Sequence, residues 1–281
     1  MTDFTFEAKP FLVNITLEFY EISTFMIKYL ISLNALLLLI WGCGSSNNFI
    51  DLPPDERLNA GISLYEDEDY QEAATEFEAI MLQYPGNSVV DDAQYYLGKC
   101  KYERGEYILA AYEFSKLIKN MPASEFVSDA QYMLAESYYE LSPNYTLDQK
   151  YTEKAIEEYQ AFVDFFPLNE KVSEAEKKIN ELNDKLARKE YSVAVIYEKM
   201  GYYNAAIIYF DGVVETYHDT QYAPLSMYRK IKLLMDRERE DEALAETKKF
   251  IRLYPGDENF EEIENLKNSL ESKLKGNYSS N

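Results

Sequence analysis

Few residues in this chain could perform covalent chemistry. His218 is the only histidine, so a hydrolytic triad or a His-rich metal site has no second imidazole to draw on. Asp67-Glu68-Asp69 offers paired carboxylates such as a glycosidase uses, but adjacent acids on a turn between helices read as solvated. No loop of the GxxxxGKS type that would cradle phosphate occurs. Two thiols remain. Cys100 falls on the apolar face of a helical segment and reads as a small core residue. Cys43 is different, because it follows Gly42 and the run Met26–Trp41 (MIKYLISLNALLLLIW). One Lys and about a dozen apolar residues make the layout of an export signal, too short for a comfortable bilayer span.

After that run, Ile40-Trp41-Gly42-Cys43 resembles a bacterial lipoprotein signal, in which a small residue admits the peptidase and the cysteine accepts the lipid. The resemblance implies lipidation at Cys43, with several acyl chains and therefore stable anchoring. Gly44, where an Asp would favour the inner membrane, implies the outer membrane. Residues 1–25 are then expected to be a misassigned upstream extension with the true start at Met26. Residues 26–42 would be the signal peptide, and 43–54 a tether opening with Gly44-Ser45-Ser46 and closed by Leu52-Pro53-Pro54.

The charge balance is strongly acidic, with 50 Asp and Glu against 28 Lys and Arg and a net charge of −22. Such a chain repels phosphate backbones, which argues against a nucleic-acid partner. With Cys43 lipidated, Cys100 has no partner for an intrachain disulfide. The 26 tyrosines point instead to aromatic packing and contact surfaces. The composition calls for no cofactor, no metal and no catalytic residue.

The elements that must position these residues come from an internal repeat. Gly61, Ala73, Phe77 and Pro85 recur at Gly98, Ala110, Phe114 and Pro122 with every interval conserved, 37 residues on, and Asp92-Ala93-Gln94-Tyr95 recurs at Asp129-Ala130-Gln131-Tyr132. The frame continues through Ala155, Tyr159 and Pro167, then Ala206, Phe210 and His218, then Ala243, Thr247 and Pro255. A small residue on each first helix (Gly61, Gly98, Ala135, Ala194), facing the Ala of the second, lets two antiparallel helices approach closely. The Pro stops the second helix, and a single hairpin must stack on neighbours to bury its apolar face.

This pattern resembles the tetratricopeptide repeat with a longer period. The resemblance implies an all-α, right-handed solenoid of about five helical hairpins. The third unit carries an insertion at its turn, Leu141–Lys150. In the fourth, Val172, Ala175, Ile179, Leu182, Leu186, Val193, Ile196 and Met200 keep helical spacing without a Pro or Gly until Gly201. The spacing predicts one helix of about 29 residues, roughly 43 Å long, tying the early repeats to the late ones. The expected organisation is repeats one to three over 55–168, repeats four and five with the long helix and a cap over 169–275, and a fraying tail over 276–281. Asp257–Glu264 is expected to open the capping helix.

Leu182-Asn-Asp-Lys-Leu-Ala-Arg-Lys-Glu-Tyr-Ser-Val-Ala, then Tyr197-Glu-Lys-Met-Gly, then Tyr217-His-Asp-Thr narrow the resemblance to the BamD family of lipoproteins, subunits of the outer-membrane β-barrel assembly machine. His218 stands where that family has Pro, a tolerated change at a helix end. The resemblance implies binding rather than catalysis: a lipid-anchored periplasmic subunit that contacts a BamA-like barrel protein through its C-terminal part. It also implies that unfolded outer-membrane proteins are received at the N-terminal part.

Spacing then selects candidates. Asp92, Tyr95, Lys99 and Tyr102 share one face of the second unit's first helix, Asp129, Tyr132, Glu136 and Tyr139 repeat them, and Tyr65 holds the equivalent place in unit one. First helices line the concave side of such stacks, so these nine residues are expected to form a client groove for extended segments alternating aromatic and polar residues. Tyr202, Tyr203, Tyr209, Arg229 and Lys232 are the candidates for partner docking. The competing expectation is a periplasmic adaptor for envelope division or peptidoglycan machinery. The long-helix segment and the lipid signal favour the assembly reading.

Overall fold

The computed structural model describes residues 52–279, with side chains to Lys273, so Cys43, the apolar run and most of the tether lie outside the described residues. Among the described residues there are eleven helices and no strand. They pair as α1 (Pro54–Glu66) with α2 (Tyr70–Gln83), α3 (Val89–Glu103) with α4 (Tyr107–Asn120) and α5 (Val127–Glu140) with α6 (Lys150–Phe165). Then come α7 (Val172–Lys199) with α8 (Tyr203–Thr216) and α9 (Tyr222–Asp236) with α10 (Glu240–Leu253), and α11 (Phe260–Ser279) packs on α10. The fold is an all-α tetratricopeptide-type array of five hairpins and a capping helix.

Each hairpin is built from the repeated positions. Pro54 opens α1, where its fixed φ suits the first turn and no intrahelical N–H is lost. The turn between helices takes a left-handed residue at one register, Glu68, Gly105, Gly201 and Glu238, with φ between 59° and 80°. Each second helix ends on Tyr84, Met121, Phe166, Tyr217 or Tyr254, all with φ near −125° and ψ near 50°. A following Pro excludes the helical region at that residue. Tyr217 adopts the same geometry before His218, and the next turn is closed by Thr220 N–H to the Tyr217 carbonyl at 3.0 Å, as Asn87 N–H closes it on Tyr84. The turn therefore survives without the proline.

Ala73, Ala110, Ala155, Ala206 and Ala243 are fully buried, as are Phe77, Phe114, Tyr159, Phe210 and Thr247 one turn later. A third set, one further turn on, was not anticipated: Ile80, Leu117, Phe162, Val213 and Phe250 are equally inaccessible. In the first two units the small residue of the first helix, Gly61 or Gly98, makes room for the aromatic ring, Phe77 or Phe114, of the second. A Cβ on Gly98 would stand 2.6 Å from the Phe114 ring. A polar clasp also repeats between paired helices: Arg57 Nε to Glu76 at 2.8 Å, Gln94 Nε2 to Glu113 at 2.6 Å and Gln131 Nε2 to Glu158 at 2.8 Å. Each buried donor is thereby satisfied.

The long helix is continuous, as its periodicity predicted. At 28 residues α7 measures about 42 Å at roughly 1.5 Å per residue. It packs along α6 with its first half and pairs with α8 through its second, burying Ala175, Leu182, Leu186, Ala187 and Ala194. The capping helix, Phe260–Ser279, begins after Asp257 has closed the preceding turn by accepting from Asn259 N–H at 2.8 Å.

Candidate binding surfaces

The first helices bring most of the candidate groove residues onto one face. Tyr65, Tyr102 and Tyr139 hold the same register on α1, α3 and α5 and are half-buried. The Tyr65 hydroxyl donates to Glu103 at 3.4 Å and that of Tyr139 to Glu181 at 2.9 Å, so each phenol reaches a carboxylate on the next first helix. Tyr95 stacks on Phe126 with ring centroids 4.6 Å apart, and Tyr102 meets Tyr107 edge-on at 5.3 Å. The Lys99 ammonium lies 4.4 Å from the Tyr65 ring, 5.1 Å from Tyr96 and 5.8 Å from Tyr95. Burial holds that ammonium below its ordinary value, against the opposing pull of the Glu103 carboxylate.

Burial, then the nearby Glu103, pushes the Tyr65 phenol upward, and burial, then Asp129, does the same for Tyr95. Tyr139 is raised to about 12 by burial and by its bond to Glu181. These phenols stay protonated and present donors. Asp92 is raised by burial and by its neighbour Asp91, while Asp129 pairs with Lys171 at 3.2 Å.

Two of the nine are drawn into the packing. Tyr132 is 6 % exposed, its ring edge-on to Tyr159 and Phe162 of α6 with the Lys171 ammonium 4.9 Å from its centroid. Glu136 is 8 % exposed, paired with Lys178 of α7 and accepting from the Tyr159 hydroxyl. Both read as surface positions only while the rings of α6 and the lysines of α7 and its flank are ignored.

The five docking candidates separate into two places. Tyr202 and Tyr203 line an open cleft of 690 Å³ at the α7–α8 turn, with Tyr197, Arg237 and Arg239. Tyr209 stacks on Tyr197 at 5.1 Å beside it. Arg229 and Lys232 belong instead to a 430 Å³ cleft between α7, α9 and the turn before α11, where Arg229 pairs with Glu198 at 3.1 Å; Lys232 pairs with Glu262 of α11 at 3.1 Å. Sequence reasoning missed Arg237, whose guanidinium lies 4.6 Å over the Tyr203 ring; its place at the hairpin-turn register was the available signal. It also missed the exposed Ile196, Met200 and Ile208 near that turn. His218 is exposed and contacts Asp219, and Cys100 is buried, its thiol raised to about 12 by burial.

The YfiO family model, described as an outer membrane lipoprotein, matches residues 51–238. The chain belongs to the YfiO family. Among its relatives, the outer membrane protein assembly factor BamD of Rickettsia prowazekii is 28% identical over 218 residues, 77% of this YfiO chain and 87% of that protein. The BamD of Caulobacter vibrioides is 31% identical over 110 residues, 39% of this chain and 36% of that one. Solved structures similar to it include a thermophilic TPR protein of Thermus thermophilus, at TM-score 0.34 and 20% identity, covering 79% of this chain and 99% of the other. The TPR2AB domain of yeast Sti1 follows at 0.41 and 16%, covering 80% and 86%. The fold assignment rests on the hairpin register itself. Among the described residues, no helix is long and apolar enough to cross a membrane.

Proposed function

We propose that this YfiO-family chain is a lipid-anchored, non-catalytic subunit of outer-membrane β-barrel assembly. It receives unfolded outer-membrane protein segments along its first helices and docks a BamA-like barrel protein through its C-terminal half. The observation that carries the reading is the family match over the repeats, joined to the recurring tyrosines Tyr65, Tyr102 and Tyr139 beside an ammonium, Lys99, that has no ion-pair partner among the described residues. Such a row suits an extended segment, whose side chains alternate at about 7 Å intervals along one face and offer rings and carboxylates in turn. Docking falls to the aromatic cleft at the α7–α8 turn. Membrane attachment falls to Cys43, which must act through a second signal or several acyl chains to anchor stably.

The test is recovery of partners from detergent-solubilised envelopes with tagged protein, beside Cys43→Ala. The reading requires a BamA-like barrel protein among the recovered chains and release of the variant from membranes. Recovery of division or cell-wall enzymes without any barrel protein would sink it.

A further inference from the structure

Asp129 and Glu136 stand seven residues apart on α5, and Lys171 and Lys178 stand seven apart along α7 and its N-terminal flank. Each lysine follows its acid by 42 residues and pairs with it. Seven residues is about two helical turns, so the two ion pairs form rungs of a ladder between the helices, roughly 10 Å apart. The next rung is Lys185. Its counterpart would fall at Pro143, beyond the end of α5 at Glu140, and the Lys185 ammonium donates instead to the Ser142 hydroxyl at 2.9 Å. Among the described residues no carboxylate lies within ion-pairing distance of Lys185, and none lies so near Arg188, whose guanidinium sits 4.1 Å over the Tyr145 ring.

Both cations line one cleft of 490 Å³ between α7, the start of α9 and the inserted loop of the third unit. The loop is fixed before any ligand arrives. Buried Gln149 donates to the Asn144 and Leu147 carbonyls at 2.9 and 3.0 Å, and Lys189 of α7 holds the Leu147 carbonyl at 2.9 Å. Burial lowers the Lys185 ammonium from its ordinary value against the opposing pull of Glu181, so part of its water has already been removed while its hydrogen-bond partner is a neutral hydroxyl. A carboxylate entering there forms charge-assisted bonds at little ordering cost.

We propose that this cleft binds a single Asp or Glu side chain presented by another polypeptide, held between Lys185 and Arg188 and flanked by the Tyr145 and Tyr222 rings. Glu181 and Asp184 also face the cleft. They accept from the Tyr139 hydroxyl at 2.9 Å and the Gln221 amide at 3.2 Å, and their charge excludes a second ligand carboxylate. The site thus selects one acidic residue among neutral or aromatic neighbours and rejects a polyanion. It does not depend on the assembly reading, since the vacant rung is present whatever partner supplies the carboxylate.

The full chain is titrated with the blocked tripeptide acetyl-Tyr-Glu-Tyr-amide and with its Gln counterpart, observed by saturation-transfer NMR of the peptides. The Glu peptide binds saturably and about tenfold more tightly than the Gln peptide. Lys185→Gln removes that preference. Ser142→Asp, which places one of the chain's own carboxylates against Lys185, removes it with both cations still present, so the test holds even if Lys185→Gln does not fold. Equal binding of the two peptides, no saturable binding below about 10 mM, or a Glu preference that survives both substitutions overturns the proposal.

Discussion

Gly61 lies against the ring of Phe77: a Cβ added at Gly61 would stand 2.8 Å from Cε1 of the ring, closer than real Cβ atoms come to a neighbour. The Phe77 ring is fully buried and has nowhere to retreat. The glycine is therefore required by its partner's volume, although glycine within a helix costs about 1 kcal/mol relative to alanine.

Gly61→Ala is accordingly expected to destabilise the repeats despite its better helix propensity. Overpacking of this kind costs about 1–3 kcal/mol, and the propensity gain recovers part of it. Gly61→Ala combined with Phe77→Leu should cost less than the sum of the two single changes. Urea unfolding of the four proteins reads the coupling directly.

Glu136→Ala removes the carboxylate shared by Lys178 and Tyr159 and leaves a largely buried ammonium with only the exposed Glu174 carboxylate, at 3.8 Å. The expected loss is about 3 kcal/mol, the range found when one partner of a buried pair is deleted. Exposed Glu242, bonded to Arg239 on the surface, provides the contrast. Glu242→Ala should leave the melting temperature within a degree or two, as surface pairs contribute little.

Stability should fall at alkaline pH. Burial raises the Cys100 thiol from 9.0 to about 12, so the folded chain keeps a proton that the unfolded chain releases. That contribution is whole below pH 9 and is lost as pH rises from 9 towards 12. The half-buried phenols of Tyr65, Tyr95 and Tyr102, raised from 10.0, act in the same direction above pH 10. The urea midpoint should decline steadily from about pH 9 to pH 11, and a midpoint that stays flat contradicts the argument.

Docking at the α7–α8 turn predicts a separation of binding from stability. Tyr202 is 58 % exposed, and Arg237 is solvated beyond its contact with Tyr203. Tyr202→Ala and Arg237→Glu should lower recovery of the barrel partner severalfold while leaving thermal unfolding unchanged, as truncation of an exposed interface anchor does. Equal recovery by both variants would remove this cleft from the docking surface.

Much of the architecture was legible from periodicity. The alanine column, the aromatic column and the continuous fourth-unit helix follow from which residues recur at helical spacing, and that is local information. Which helix then covers which face is not local. Tyr132 and Glu136 repeat the pattern of Tyr95 and Lys99, yet Glu136 meets Lys178 of α7 and the Tyr159 hydroxyl of α6, whereas Lys99 lies against the rings of Tyr65, Tyr95 and Tyr96. The clasps of Gln94 with Glu113 and Gln131 with Glu158 lie 19 and 27 residues apart, the difference being the insertion, so a fixed spacing could not reveal them. The insertion itself looked like slack at a turn. Its role emerges only once Lys189, Arg188 and Lys185 are seen to hold it.

An array of stacked hairpins can lose structure one unit at a time, and the boundary between folded and unfolded units settles wherever neighbours share least. α7 belongs to two units at once, packed on α6 and paired with α8, so a boundary in the middle of the array would have to cut through a single helix. Partial unfolding is thereby confined to the ends. The first hairpin or the last one with its cap can open while the centre persists, and the two halves share a common fate.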